Sequence, residues 1–194
     1  MIPPQAKLTG PVRAFLDRSG PLSSMEAGHR SARECGAYAY HQKTYAFSVS
    51  ADIVRDTLRN SPPARLWSGD AKHQLTYDRN TQTVHLPDDD HPPLTEGMVI
   101  VLDLRLVAPV HIPVGFEIVQ MDLKSGRMAF GYVRGNRSQG LQRLTIHEDD
   151  RQTARIMHET WYDSGSYVRD RFLYPFFHTR LLNAFYDNLR VVAR

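Results

Sequence analysis

Five consecutive segments between residues 98 and 162 constrain the fold more than any other feature of the sequence. Each alternates apolar and polar residues with a period of two, as half-buried strands do. The segments are 98–107, 115–121, 127–134, 139–147 and 153–162. The linkers between the later segments are rich in turn-forming residues, such as GNRS and HEDDRQ. Since parallel neighbours would need a crossover helix, the pattern predicts a meandering antiparallel sheet.

The apolar period changes after the turn at residues 163–166. From there on, apolar residues follow the spacing of an amphipathic helix. They are Phe177, Leu181, Leu182, Phe185, Leu189 and Val192. Pro175 lacks an amide hydrogen and would cost ~3 kcal/mol in a helix interior. The long C-terminal helix therefore begins at Pro175, or begins near Ser166 and kinks at the proline.

Before the meander, one strand runs directly into a helix. Apolar side chains alternate over residues 44–50, and Ser50 or Asp52 can cap a helix over 51–59. Two further short strands are expected, at 74–77 and 83–86.

Residues 1–43 show little periodicity. The exception is a capping-box pair, Ser23 and Glu26, which predicts a short helix over 23–35. The chain of 194 residues suits one domain with a core large enough to hold a cavity. We therefore expect an N-terminal extension over 1–43 and one domain over 44–194.

The composition excludes several classes of protein. Hydrophobic residues make up 41% of the chain and charged residues 23%, which is typical of globular proteins. The net charge is +3, and the arginines are scattered, so no nucleic-acid partner is expected. The single cysteine, Cys35, excludes an internal disulfide and fits a reducing compartment.

The N-terminal stretch MIPPQAKLTG carries prolines where a signal peptide needs an apolar run. No apolar run approaches the ~20 residues that span a bilayer. We expect a cytoplasmic protein with no transmembrane segment.

His158 and Glu159 are the first candidates for a functional site. Adjacent residues on a strand point to opposite faces, so a regular strand cannot bring both to one site. Arg155 and Glu159 mark one face as outward, which leaves His158 and Tyr162 facing the interior. His158 is then either a buried, hydrogen-bonded structural residue or a ligand contact.

The other polar candidates lie on or before the terminal helix. His178 follows Phe177 there, but a metal site would need a further ligand, and nothing is spaced like HExxH, so no metal is expected. Arg169 and Arg171 either form a solvated start to the helix or recognise the acidic head group of a ligand. No serine lies in a nucleophile elbow.

This order of elements resembles the helix-grip fold of the START-like (SRPBCC) superfamily. The segments TEGMVIVLDLRL, AFGYVRGNRSQGLQRLTIHEDD and RDRFLYPFFHTRLLNAFYDNLRVV resemble bacterial domains of unknown function in that superfamily. The resemblance implies an α+β fold in which a curved antiparallel sheet wraps around the long C-terminal helix, with a cavity for apolar ligands between them. A hot-dog fold is the alternative, although its long helix usually comes early in the chain.

The superfamily includes lipid carriers, hormone receptors, cyclases and Rieske oxygenase subunits. The chain lacks the cysteine and histidine pairs of a Rieske cluster, and no catalytic motif can be carried over to it. No cofactor is expected.

The leading hypothesis is a binding protein that holds a small apolar or amphipathic molecule, such as a lipid, in that cavity. The candidate ligand-binding residues are Phe130, Tyr132, Gln142, His158, Tyr162 and His178. One alternative is a cyclase or hydratase in which His158 or His178 moves a proton. Another is a protein-interaction or dimerisation module that uses the loop PDDDHPP or the N-terminal extension. The oligomeric state is left open.

Overall fold

The computed structural model describes residues 7–107 and 109–194. Eight strands form one antiparallel sheet in the order β1-β8-β7-β6-β5-β4-β2-β3. The strands are β1 Ala39–Phe47, β2 Ala71–Asp78, β3 Thr83–His85, β4 Val99–Val107, β5 Val110–Asp122, β6 Arg127–Tyr132, β7 Gln139–Asp150 and β8 Thr153–Asp163. The helices are α1 Gly10–Ser19, α2 Ala51–Asn60, α3 Pro63–Leu66 and α4 Tyr174–Val192.

The sheet and α4 confirm the predicted α+β helix-grip architecture. Strands β4 to β8 pair with their sequence neighbours, as expected for a meander joined by short turns. One large apolar cluster lies between the inner face of the sheet and the helices α2, α3 and α4. Its members on α4 are Leu182, Phe185, Tyr186 and Leu189.

The last helix resolves the two alternatives that Pro175 left open. Helical residues begin at position 167, and a π-helical turn, Arg169–Leu173, precedes α4. The amide of Tyr174 donates to the carbonyl of Arg169, five residues earlier. Since a proline ring clashes with the carbonyl of an ordinary helical turn, the wider turn lets the helix continue through Pro175.

The N-terminal residues differ from the prediction. The prediction of a helix over 23–35 is wrong, because that stretch forms only two short 3-10 turns, Leu22–Ser24 and Ala32–Cys35. An unpredicted helix, α1, lies earlier, with Pro11 in its first turn, where proline is tolerated. The boundary expected between residues 43 and 44 falls inside β1.

Helix α1 covers the outer face of the sheet. Its buried residues Val12, Phe15 and Leu16 belong to a second apolar cluster that includes side chains of β2 and β4. The sheet therefore has an apolar cluster on each side.

Glu117 on β5 holds the stretch after α1 against this outer face. Its carboxylate is buried, accepts a hydrogen bond from the amide of Ala27 (2.6 Å) and pairs with Arg30 (2.7 Å). Arg79 donates to the carbonyls of Ser23 and Met25 in the same stretch. Residues 23–30 are thus fixed by charge-assisted hydrogen bonds instead of helical periodicity.

We expect Glu117→Ala to lower the free energy of unfolding by about 3 kcal/mol, because it leaves the Ala27 amide and the arginine without their acceptor. Urea denaturation measures this loss. Glu148→Ala, at an exposed position on β7, is the matched control and should change stability by less than about 0.5 kcal/mol. Equal losses in the two variants would contradict the role given to Glu117.

Candidate functional site

A cavity of about 360 Å³ lies between α4 and the concave face of the sheet. Its wall is mostly apolar and comes from strands β2 and β4 to β8, from α4 and the turns before it, and from Trp67. Apolar lining residues include Trp67, Ile100, Leu102, Phe116, Phe130, Leu144, Phe177 and Phe185. A helix packed against a curved sheet leaves this space because the central strands bend away from it.

A chain of buried polar side chains crosses the sheet side of the cavity. The Nδ1 atom of His158 lies 2.8 Å from the hydroxyl of Tyr186, and its Nε2 atom lies 3.0 Å from the amide oxygen of Gln142. The amide nitrogen of Gln142 donates to the hydroxyl of Tyr132 (3.0 Å), which contacts the hydroxyl of Tyr174. The side chains come from β6, β7, β8 and α4, so the network joins the sheet to the helix.

The hydrogen-bond directions follow from the acceptor on Gln142. An amide oxygen can only accept, so the Nε2 atom of His158 carries the proton and donates it. The Nδ1 atom must then accept from Tyr186. This arrangement satisfies both nitrogens of a neutral, buried imidazole.

Burial keeps this network uncharged. It lowers the pKa of His158 to about 3 and the pKa of His178 well below its usual value. It raises the pKa of Tyr132 to about 12 and that of Tyr174 well above its usual value. At neutral pH these groups therefore act as hydrogen-bond donors and acceptors and not as ions.

His178 lines the cavity and has a buried nitrogen without a hydrogen-bond partner among the described residues. Its ring stacks on Tyr174, with centroids 5.0 Å apart, and its Nε2 atom lies 3.5 Å from the hydroxyl of Thr160. No described residue hydrogen-bonds to its Nδ1 atom, although the side chain is buried and lines the cavity. Since buried polar atoms favour a partner, this nitrogen is the place where a polar group of a ligand would gain most.

One end of the cavity is cationic and polar. Arg169, from the π-helical turn, lies there with Asn136, Arg137 and Ser138 of the β6–β7 turn. Arg169 donates through Nη2 to the carbonyls of Ser164 and Arg137, while its Nε atom has no partner among the described residues. The guanidinium is thus oriented by the backbone and keeps one buried donor without a partner in the described part of the chain.

The structure brings together most of the candidate residues. Phe130, Tyr132, Gln142, His158 and His178 line the cavity, as does Arg169. Two candidates lie outside the lining, for different reasons.

Tyr162 lies behind Tyr174, stacked on its ring at 3.7 Å between centroids, and donates to the carbonyl of Asp170. It supports the helix start instead of reaching the cavity. Arg171 follows Arg169 on the π-helical turn but points to solvent and does not line the cavity.

Tyr174 and Tyr186 are parts of the site that sequence reasoning missed. Together with His178 and Leu182 they recur every four residues on one face of α4. Three of these four residues are polar aromatics, and this spacing is the sequence signal that could have placed Tyr174 and Tyr186 on the same helix face as His178.

A second group of histidines lies at the other edge of the sheet. The ring of His91 packs against His73 on β2 and His85 on β3, with centroids 5.5 Å and 5.0 Å apart. Burial lowers the pKa of His73 to about 3 and that of His91 to about 4. Within 7–107 and 109–194, no three or more His, Cys, Asp or Glu residues are grouped in a way that could hold a metal ion.

No helix formed by the described residues is long and apolar enough to cross a membrane.

No family model matches the chain, and no curated protein matches it in sequence. Solved structures of similar fold do exist. Norcoclaurine synthase from Thalictrum flavum, in complex with dopamine and hydroxybenzaldehyde, has a TM-score of 0.57 at 11% identity, over 87% of this chain and 95% of that chain.

Two other similar structures widen the comparison. The Zhui aromatase/cyclase from Streptomyces sp. R1128 has a TM-score of 0.57 at 11% identity, over 79% of this chain and 92% of that chain. Major latex-like protein 151 from Panax ginseng has a TM-score of 0.55 at 8% identity, over 78% and 95% of the two chains. At these identities the likeness shows a shared helix-grip fold.

Acid is expected to destabilise this fold through its buried histidines. His73 and His158 have pKa values of about 3 when folded, against an ordinary value of 6.5. Unfolding therefore takes up protons below pH 6.5, and the stability present above that pH is lost as the pH falls towards 3. The loss at pH 5 is about 2 kcal/mol per histidine.

Urea denaturation at pH 7 and pH 5 checks this expectation. His158→Gln should remove about 2 kcal/mol of the pH dependence, whereas His147→Gln, at an exposed position on β7, should leave it unchanged. An unfolding midpoint that stays constant between pH 7 and pH 5 would contradict the account.

Proposed function

We propose that the chain is a binding protein that encloses a small amphipathic molecule between the sheet and α4. The observation that carries the proposal is the cavity of about 360 Å³, which has an apolar wall and a few oriented polar groups. Small-molecule sites are commonly built this way, with a volume of ~300–1,000 Å³.

The polar groups suggest how the ligand lies. Arg169 and Arg137 at one end would take an acidic head group, because a guanidinium pairs with carboxylate or phosphate oxygens. The apolar middle of the cavity, between Leu102 and Phe116, would hold the hydrocarbon body. The Nδ1 atom of His178 would meet a hydroxyl or carbonyl group of the ligand.

The protonation states favour binding over proton transfer. A general base works best with a pKa near the operating pH, whereas the pKa of His158 is about 3. Both nitrogens of His158 are also occupied by Gln142 and Tyr186. His158 therefore supports the cavity wall by orienting Gln142 and, through it, Tyr132.

A cyclase or hydratase is the second candidate. It is favoured by the contacting hydroxyls of Tyr132 and Tyr174 at the cavity wall, since one donates to the other and the second would donate to a substrate carbonyl. Similar folds occur in norcoclaurine synthase and in an aromatase/cyclase. In such an enzyme the tyrosines would polarise the carbonyl and His178 would accept a proton.

The head-group assignment is tested with decanoate and decanol, which differ only in the charged group. We expect Arg169→Gln to weaken decanoate binding about tenfold and to leave decanol binding nearly unchanged, because only the acid uses the guanidinium. Isothermal titration calorimetry measures both affinities.

Arg171→Gln is the matched control, since Arg171 is two residues away but faces solvent. It should change neither affinity. Equal weakening by the two variants, or equal weakening of both ligands by Arg169→Gln, would contradict the proposed contact.

The two candidate functions are separated by incubating the protein with hydroxybenzaldehyde and dopamine, the two molecules bound in the similar norcoclaurine synthase structure. A binding protein should not accelerate their consumption, measured by mass spectrometry, above the rate in buffer. Acceleration that disappears in Tyr132→Phe while the variant stays folded would support the enzyme instead.

A further inference from the structure

Most of the large apolar side chains that the described residues expose lie around the open end of the cavity. Ten such side chains are exposed among residues 7–107 and 109–194, and seven of them belong to two neighbouring segments. We define the mouth patch as Val107, Val110, Tyr167, Val168, Phe172, Leu173 and Phe176. Within it, Tyr167 is 77% exposed, Phe176 66% and Phe172 64%.

The mouth patch is continuous with the cavity wall. Leu173 belongs to both, and Val107 on β4 follows the lining residue Leu106. The side chain of Arg180 on α4 donates to the carbonyl of Leu106 at 3.3 Å, which brings the helix and this end of β4 together. An apolar surface of this extent around an opening is typical of an interaction site.

Cationic groups accompany the apolar ones. Arg137 and Arg171 are exposed beside the patch, and Arg169 lies at the opening itself. The nearby acids face the backbone instead. Asp170 accepts from the amide of Ser164 (3.0 Å), and Asp163 accepts from the amide of Gly165 (2.8 Å). Both acids are half-buried, so the exposed charges beside the patch, Arg137 and Arg171, are positive.

We propose that the mouth patch docks on the surface of an anionic lipid bilayer. Exposed aromatic side chains next to arginines are the combination that settles at the interface between head groups and acyl chains. Anionic head groups attract each arginine near the surface. A bilayer also needs no matched pocket, which suits side chains that project singly from a helical turn and a hairpin.

A second copy of the chain fits this patch less well. A two-fold contact places the same surface of each copy against the other, so the arginines of one copy would lie close to those of the second copy. Like charges brought together in this way oppose association. The positive rim thus selects an anionic partner.

The docked orientation gives the cavity access to lipid. With Leu173 at the membrane surface, the opening would face the head groups, and an amphipathic acid would pass between bilayer and cavity without exposing its hydrocarbon to water. This consequence rests on the proposed ligand-binding function, whereas docking itself does not.

Co-sedimentation with vesicles tests the docking. We expect the protein to sediment with vesicles of phosphatidylcholine mixed with phosphatidylserine, to sediment less with phosphatidylcholine alone, and to be released by added salt. The double variant Phe172→Ser and Phe176→Ser should lower the partition coefficient about a hundredfold, because two aromatic rings are no longer buried at the bilayer interface. The matched control, Ile53→Ser with Val191→Ser, removes exposed apolar side chains outside the patch and should leave partitioning unchanged.

Absence of sedimentation with the phosphatidylserine vesicles would overturn the proposal, as would equal losses in the two double variants. The proposal would also be overturned if the parent protein formed a dimer and bound no vesicles, and if the patch variant were monomeric. The affinity for decanoate, measured without vesicles, shows whether the ligand proposal holds independently of membrane docking. Leu104→Trp narrows the cavity without replacing a residue of the patch and should weaken decanoate binding while vesicle binding persists.

Discussion

One helix has to cover the concave face of an eight-stranded sheet, and the rest of the structure depends on this mismatch. A helix of 19 residues is about 28 Å long and about 10 Å wide, which is less than the curved sheet encloses. Interiors otherwise pack to crystal-like density, so the uncovered volume must be filled by side chains or remain as a cavity. Helices α2 and α3 fill one end together with Trp67, and the cavity of about 360 Å³ occupies the other.

The polar network lies where the sheet and α4 are separated by the cavity. A hydrogen-bonded connection between sheet and helix keeps the two at a defined distance where apolar contact is interrupted. His158 is central because it receives from Tyr186 on α4 and donates to Gln142 on β7. The cost of burying these groups is offset only when each has a partner, so the network specifies one position of α4. The Nδ1 atom of His178 departs from this rule, and its side chain lines the cavity.

The parts of the structure that follow local periodicity were predictable from the sequence. The meander and the terminal helix were predicted because alternation and helical spacing persist over many residues. The inward direction of His158 followed from residue parity together with the charged pair Arg155 and Glu159 on the other face. Helix α1 was missed, since the Gly-Pro pairs at 10–11 and 20–21 suggest turns, although proline fits a first helical turn.

The hydrogen-bond partners could not be predicted from local sequence patterns, because they depend on contacts between distant segments. The contact between His158 and Gln142 depends on the register that pairs His158 with Leu144. The burial of Glu117 depends on a segment 90 residues away in the chain.

The two apolar clusters lie on opposite faces of the sheet, and only the inner one borders the cavity. The outer cluster under α1, held by Glu117 and Arg79, contributes to the stability of the strands without lining the cavity. In a protein with a single core, the cavity wall is part of that core, so many substitutions in the wall lower the stability of the whole protein. This loss of stability limits which substitutions are tolerated there. Here the second apolar cluster contributes stability that does not depend on the cavity wall, so more substitutions are tolerated in that wall. Inward-facing residues of β4 to β8 can therefore change the shape and polarity of the cavity while the strands keep their pairing.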